Sequence, residues 1–339
     1  MISTVEELED LLSTPTEEDV EAASSLDGNL VILGAGGKMG PTLALRAKRA
    51  IQEAGKPFPV IAVSRFSDQE AGVRLHSAGI EIINADLLNP ADIARLPDAD
   101  TVIFMAGRKF GSTGDEASTW AMNAHVPAMV AERYSMAEIV AISSGNIYPF
   151  MPIAQGGATE STPPAPVGEY AQSVLARERI FQYFSQENDT PMTLLRLNYA
   201  VDLRYGVLLD IAQAVYERRP VDLRMGMVNV IWQGDANSAC FRAFLYTDAP
   251  PNVINLTGPE TLSIRWIATR FGEHFGMEPE FEGVEGPTAL LNNAAKGHRL
   301  FGYPKVSVEE MIEWTASWIV AGGVTYNKPT HFEVRDGRF

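Results

Sequence analysis

The sequence predicts an α/β protein, a Rossmann-type doubly wound parallel sheet followed by a smaller C-terminal α/β substrate domain. Three observations carry this expectation. Short, continuously apolar runs such as "LVIL" and "TVIF" read as strands buried on both faces, the habit of parallel sheets. Helical patterns alternate with them through short links, the order that builds right-handed crossovers. And "VILGAGGKMG", residues 31–40, runs from an apolar strand into glycines and on into a helix.

The elements follow in order. Residues 1–28 read as an extension of two short acidic helices. "STVEE" offers Ser3 and Glu6 as a capping box, and "TEEDV" offers Thr16 as an N-cap. Residues 29–200 carry the dinucleotide-binding pattern. "KMGPTLALRAKRAIQEAG" is a helix closing at Gly55, and "PVIAVSR", "IEIINAD", "TVIFMAG" and "AEIVAISS" are further strands. Residues 201–321 loosen into amphipathic helices such as "LLDIAQAVYERR" and short strands "MVNVIW" and "NVINLTG", a substrate domain that shares elements with the first. Residues 322–339 form a polar tail expected to cover a surface or a neighbouring subunit.

Bulk properties narrow the function. The 339 residues are enough for a sizeable core. A formal net charge of −16 argues against nucleic acid and anionic membranes as partners. The single cysteine, Cys240, reads as a small buried helix residue. It has no partner for an internal disulfide, which fits a reducing compartment. The acidic start lacks a signal-peptide core, and no apolar run is long enough to span a bilayer, so a cytoplasmic location is expected. The five histidines show no metal-ligand spacing, and no metal is expected.

Gly34, Gly37 and Gly40 stand three apart, with Lys38 and Met39 inside the turn. Glycines let the backbone approach a pyrophosphate, and the helix start supplies free N–H groups and a positive dipole end. Pro41 fits the first helical turn, where its missing N–H loses no bond. The second strand ends in Ser64 and Arg65 rather than in an acidic residue. Nothing there repels a 2′-phosphate, and Arg65 can pair with one, so NADP is preferred over NAD. Asp86, followed by Leu87, stands where a carboxylate can accept from an adenine amino group.

Together these stretches resemble the extended short-chain dehydrogenase/reductase family, in its NAD-dependent epimerase/dehydratase branch, over roughly residues 29–320. "GAGGKMG" is similar to the family's glycine motif and "AD" at 85–86 to its adenine motif. Met105, Ala106 and Gly107 sit where the family has a small-residue strand end, and Asn123 matches its helix asparagine. "ISSGNIYP" resembles the serine strand and places Ser144 at the catalytic serine. "EYAQSVLARERI" resembles the catalytic helix and places Tyr170 at the tyrosine. The resemblance implies an oxidoreductase or epimerase-like enzyme acting on a sugar-like or small polar carbonyl or hydroxyl substrate. Ser144 would orient the substrate oxygen, Tyr170 would give the proton, and Asn146 and Asn198 would contact the substrate. It also implies a homodimer.

One position departs from the family. Four residues after Tyr170, where the family has a lysine, stands Val174. A free tyrosine titrates near 10, so without a cation it is a poor base at neutral pH and remains a serviceable proton donor. Arg177, about 10 Å further along the axis, reads as a surface or interface arginine. Arg108 and Lys109 follow "MAG" at a strand end and are the expected substrate contacts, with Lys109 the candidate replacement cation. Two alternatives stay open: an NADP-binding regulator without hydride transfer, and a lyase or isomerase using Lys109 or His125 as base.

Overall fold

The computed structural model describes residues 2–338 apart from 110 and 112. Seven strands form one sheet: β1 (Leu30–Leu33), β2 (Val60–Ser64), β3 (Glu81–Asn84), β4 (Thr101–Phe104), β5 (Glu138–Ser144), β6 (Met192–Leu197) and β7 (Asn252–Leu256). Their spatial order is β7-β6-β5-β4-β1-β2-β3, and every neighbouring pair is parallel. All four residues of β1 are buried, as the apolar run requires of a central strand. The chain order reverses direction between β1 and β4, so the carboxyl ends of these two strands open a crevice.

Helices cover both faces. They are α1 (Val5–Ser13), α2 (Glu17–Ser25), α3 (Gly40–Glu53), α4 (Gln69–Ser77), α5 (Pro90–Ala94), α6 (Glu116–Trp120), α7 (Val126–Arg133) and α8 (Gly168–Asn188). Then come α9 (Val207–Tyr216), α10 (Gln233–Arg242), α11 (Ile264–Phe275), α12 (Ala295–Phe301) and α13 (Val308–Val320). On one face Leu30, Ile32 and Val140 pack with Leu43 and Ala47 of α3 and with Ala236 and Cys240 of α10. On the other, Val31, Leu33 and Phe104 pack with Val126 and Val130 of α7 and Phe181 of α8. Cys240 is fully buried, and burial pushes its thiol up to about 12. Among the described residues no helix is long and apolar enough to cross a membrane.

Two expectations need correction. The N-terminal capping box forms one residue later: Thr4 accepts from the Glu7 amide at 3.1 Å, and Glu7 accepts from the Thr4 amide at 3.1 Å. "NVINLTG" is no strand of a separate small domain; as β7 it forms the edge of the central sheet beside β6.

The first two helices belong to the packed body. Leu8 and Leu12 are fully buried in a cluster with α9, α11 and α13. Asp19 of α2 pairs with Arg46 of α3 at 2.6 Å, both side chains being out of contact with solvent or nearly so, and accepts from Ser238 of α10 at 2.5 Å. Residues 322–338 run back across the same side of the molecule, where Thr330 donates twice to Asp210 of α9.

Candidate active site

The glycine turn leaves β1 with Gly34 at φ +92°, a conformation side chains rarely adopt. A Cβ there would lie 2.6 Å from the Ala106 amide nitrogen at the end of β4, so the two strand ends approach as only glycine allows. A Cβ on Gly40 would strike the Ala35 carbonyl, which fixes α3 against the turn. Met39 precedes α3 without a side-chain cap, and Pro41 stands in its first turn. The Gly40 amide donates to the Gly37 carbonyl at 3.2 Å and Pro41 carries no N–H, so it is the positive end of α3 above a tight glycine turn, more than a row of free amides, that fits a dinucleotide pyrophosphate. At the β2–β3 end, Ser64 lies beside Gly36, and Arg65 is exposed. Asp86 turns one carboxylate oxygen onto the Leu88 amide at 3.0 Å, and Leu87 is buried.

A cleft of about 390 Å³ opens at the carboxyl ends of β1, β4, β5 and β6. Gly34, Gly37, Lys38, Met39, Met105 and Gly107 line its glycine-turn side. Arg108, Lys109, Ser144, Asn146, Tyr170 and Asn198 line the rest. Gly40 and Ala106 are buried beneath, and Ser64, Arg65, Asp86 and Leu87 lie beyond it at the β2–β3 end. Ser144 ends β5 and caps the short turn Gly145–Ile147. Its hydroxyl accepts from the Asn146 amide at 3.2 Å and donates to the Asn146 side chain at 3.1 Å. Tyr170 stands half-buried in the first turn of α8, where a ring can face the cleft from above the strand ends.

Asn123 connects these parts. It sits fully buried in a π-helical turn, Ala121–His125, a local widening often found at functional sites. Its side chain accepts from the Arg108 amide and donates to the Arg108 carbonyl, both at 2.9 Å. It also donates to Ser173, whose hydroxyl donates to the Tyr170 carbonyl at 2.8 Å. The end of β4 and the start of α8 are thus clamped through one amide.

The model of the NAD dependent epimerase/dehydratase family matches residues 30–201, just over half the chain. The chain belongs to that family. Solved structures agree on the fold. A UDP-glucuronic acid 4-epimerase from Bacillus cereus, in complex with UDP-glucuronic acid and NAD, is 19% identical with a TM-score of 0.72; the match covers 86% of this chain and 99% of that one. A UDP-glucose 4-epimerase from Thermotoga maritima with UDP-glucose is 17% identical with a TM-score of 0.69, covering 87% and 99%. An epimerase from Methanothermobacter thermautotrophicus is 16% identical with a TM-score of 0.70, covering 90% and 96%. No curated protein matches the sequence.

In this epimerase/dehydratase family member Val174 is fully buried among Ile147, Tyr148 and Ala158. Arg177 is not the surface arginine its sequence position implied. It is 6% exposed and lines the cleft. Side chains on a helix lean toward its N-terminus, so the long guanidinium recovers much of the rise that separates Arg177 from Tyr170. It donates to the Ile142 carbonyl at 2.7 Å and to Asn123 Oδ1 at 2.9 Å. His125 is exposed and is not among the residues that line the cleft.

Two lysines meet the cleft. Lys109 Nζ lies 5.9 Å from the centre of the Tyr170 ring and donates to the Thr330 carbonyl at 3.2 Å. Burial pushes it down to about 8, with Asp210 and Glu333 acting the other way. Lys38 stands 3.1 Å above the Tyr205 ring, and burial, with Lys328 and Lys109 nearby, pushes it down to about 7. The Arg108 guanidinium turns instead to Asp115 at 2.7 Å. Asn198 is buried, and among the described residues its side-chain nitrogen has no hydrogen-bond partner.

Sequence reading missed a second buried network. Glu178 accepts from Arg196 at 2.7 and 2.9 Å and from Ser143 at 2.5 Å. Arg196 donates to the Tyr148 hydroxyl at 2.6 Å, which donates to Asn255 at 2.8 Å. These bonds fix α8 to β5, β6 and β7. No spacing in the sequence signals a pairing between residues so far apart.

Proposed function

We propose that the protein is an NAD(P)-dependent oxidoreductase or epimerase-like enzyme acting on a sugar-like or small polar carbonyl or hydroxyl substrate. The observation that carries this reading is the shared cleft: Ser144, Tyr170 and Lys109 line the same space as the glycine turn. A bound nicotinamide would supply the hydride. Tyr170 would donate the proton to the carbonyl oxygen, and Ser144 with Asn146 would orient that oxygen. Lys109, beside the Tyr170 ring, would hold positive charge near the reacting oxygen, and Asn198 and Arg108 would contact the rest of the substrate. With Val174 in the lysine's place, carbonyl reduction is the favoured direction. The exposed Arg65 at the end of β2 supports a preference for NADP, although the solved neighbours described above hold NAD. Two copies would pair through the helices beside Tyr170, as the family resemblance implies.

The test is turnover across a panel of nucleotide sugars and small polar carbonyls with NADPH or NADH. Activity that is lost in Tyr170→Phe supports the reading. Tight cofactor binding with no turnover anywhere on the panel would favour a cofactor-binding regulator.

A further inference from the structure

Arg177 is a buried cation whose charge Tyr170 and Glu178 offset only in part. Among the described residues no carboxylate pairs with its guanidinium. The adjacent carboxylate, Glu178, is already taken by Arg196 and Ser143. Two protein oxygens satisfy its terminal nitrogens, those of Ile142 and Asn123, and among the described residues its Nε has no hydrogen-bond partner. Removing a charge from water costs far more than two neutral acceptors return, and a native buried donor left unbonded needs an explanation. Room has been made for this group: a Cβ on Gly107 would lie 2.8 Å from its terminal nitrogen. The Phe104 ring lies 5.3 Å beneath it and holds it in place.

Its position selects the ligand. Arg177 lies at the ends of β4 and β5, across the switch point from Ser64 and Arg65 on β2. A dinucleotide in such a crevice sets its pyrophosphate on the glycine turn, with one nucleoside over β2 and β3 and the other over β4 and β5. The adenosine half therefore falls on the Arg65 side and the nicotinamide riboside half on the Arg177 side. We propose that Arg177 is the fixed cation that binds the nicotinamide riboside half of the dinucleotide. It donates to that half's hydroxyl oxygens from a position seven residues past Tyr170, while Val174 packs away from the cleft. This rests on the dinucleotide reading given above.

Half-ligands test it. The dissociation constants of NADPH, of 2′-phospho-5′-ADP, which keeps both bridging phosphates and lacks only the nicotinamide riboside, and of 2′,5′-ADP, which lacks one of those phosphates as well, are measured by calorimetry for the wild type, Arg177→Met and Arg177→Lys. The expected result is an NADPH affinity about tenfold to a hundredfold lower in Arg177→Met, with 2′-phospho-5′-ADP and 2′,5′-ADP unchanged. Arg177→Lys keeps the charge and falls between. If Arg177→Met does not fold, Arg177→Lys alone decides, by weakening NADPH selectively or not. An equal loss for all three ligands, or no loss for any, overturns the proposal and makes Arg177 a packing residue. A loss shared by NADPH and 2′-phospho-5′-ADP alone also overturns it and places Arg177 on the bridging phosphates. The same measurements are made with NADH and 5′-ADP, so that a preference for NAD leaves the test intact; a wild type that binds none of these ligands overturns the dinucleotide reading itself, and the proposal with it.

Discussion

Lys109 Nζ stands 5.9 Å from the centre of the Tyr170 ring, tied to the carbonyl of Thr330 from the C-terminal segment. A residue at the end of β4 and a residue in the tail thus meet at the ring that begins α8. Replacing the lysine by methionine keeps most of the packing and removes the charge. Lys109→Met is expected to lower kcat/KM for carbonyl reduction by about a hundredfold, a general acid–base-sized effect, with the melting temperature little changed. Steady-state kinetics and a thermal scan check both halves. A variant as active as the wild type would remove Lys109 from the chemistry.

Lys38, with Lys109 beside it in the cleft, is expected to give binding a pH dependence near neutrality. Its folded-state value of about 7 lies below the ordinary lysine range, chiefly through burial, with Lys328 and Lys109 adding repulsion and Asp202 and Asp210 opposing them. An anion bound in the cleft favours the protonated form, so binding takes up a proton above about pH 7, where the free lysine is neutral, and takes up none well below it. NADPH affinity is expected to fall as pH rises from about 6.5 to 8.5, and this slope is expected to flatten in Lys38→Met. Calorimetry in two buffers of different ionisation enthalpy reads the proton uptake directly. A slope unchanged by the substitution would place the titrating group elsewhere.

Gly34 tests the cradle. Its left-handed φ and the 2.6 Å approach to Ala106 nitrogen leave no space for a methyl group. Gly34→Ala is expected to cost about 1–3 kcal/mol of stability from the backbone alone. It is also expected to weaken dinucleotide binding by at least about tenfold by moving the turn. Denaturant titration and calorimetry separate the two effects.

Asp19 tests whether the N-terminal helices are structural. Its removal leaves Arg46 buried and unpaired and Ser238 without its acceptor. Asp19→Ala is expected to destabilise the fold by about 3–5 kcal/mol, read from the denaturation midpoint. A change below about 1 kcal/mol would show that water replaces the carboxylate.

Much of this architecture is legible in the sequence, because buried parallel strands and a glycine turn depend on local composition. β1 to β5 and the α3 start are of that kind, whereas sequence reading missed β6, "MTLLRL", as a strand. The misses have physical reasons. "STVEE" contains two overlapping Ser/Thr-x-x-Glu patterns, and the sequence alone does not choose between them; the helix takes the one beginning at Thr4, with Leu8 and Leu12 buried. β7 joins a partner more than fifty residues upstream, which no local pattern reveals. Arg177, Glu178 and Arg196 look like surface charges until their partners are known, because burial of a charge depends wholly on tertiary neighbours. Arg177 was misplaced for a further reason: counting the rise between Cα atoms ignores the reach and lean of a long side chain.

The central claim is that this cleft transfers hydride with Tyr170 as the proton donor. NADPH deuterated at the nicotinamide C4 position tests it most directly, with products of the active carbonyl substrate examined by mass spectrometry. The account predicts deuterium in the product from the wild type and none from Tyr170→Phe. Product that forms without deuterium, or equally well in Tyr170→Phe, would contradict it.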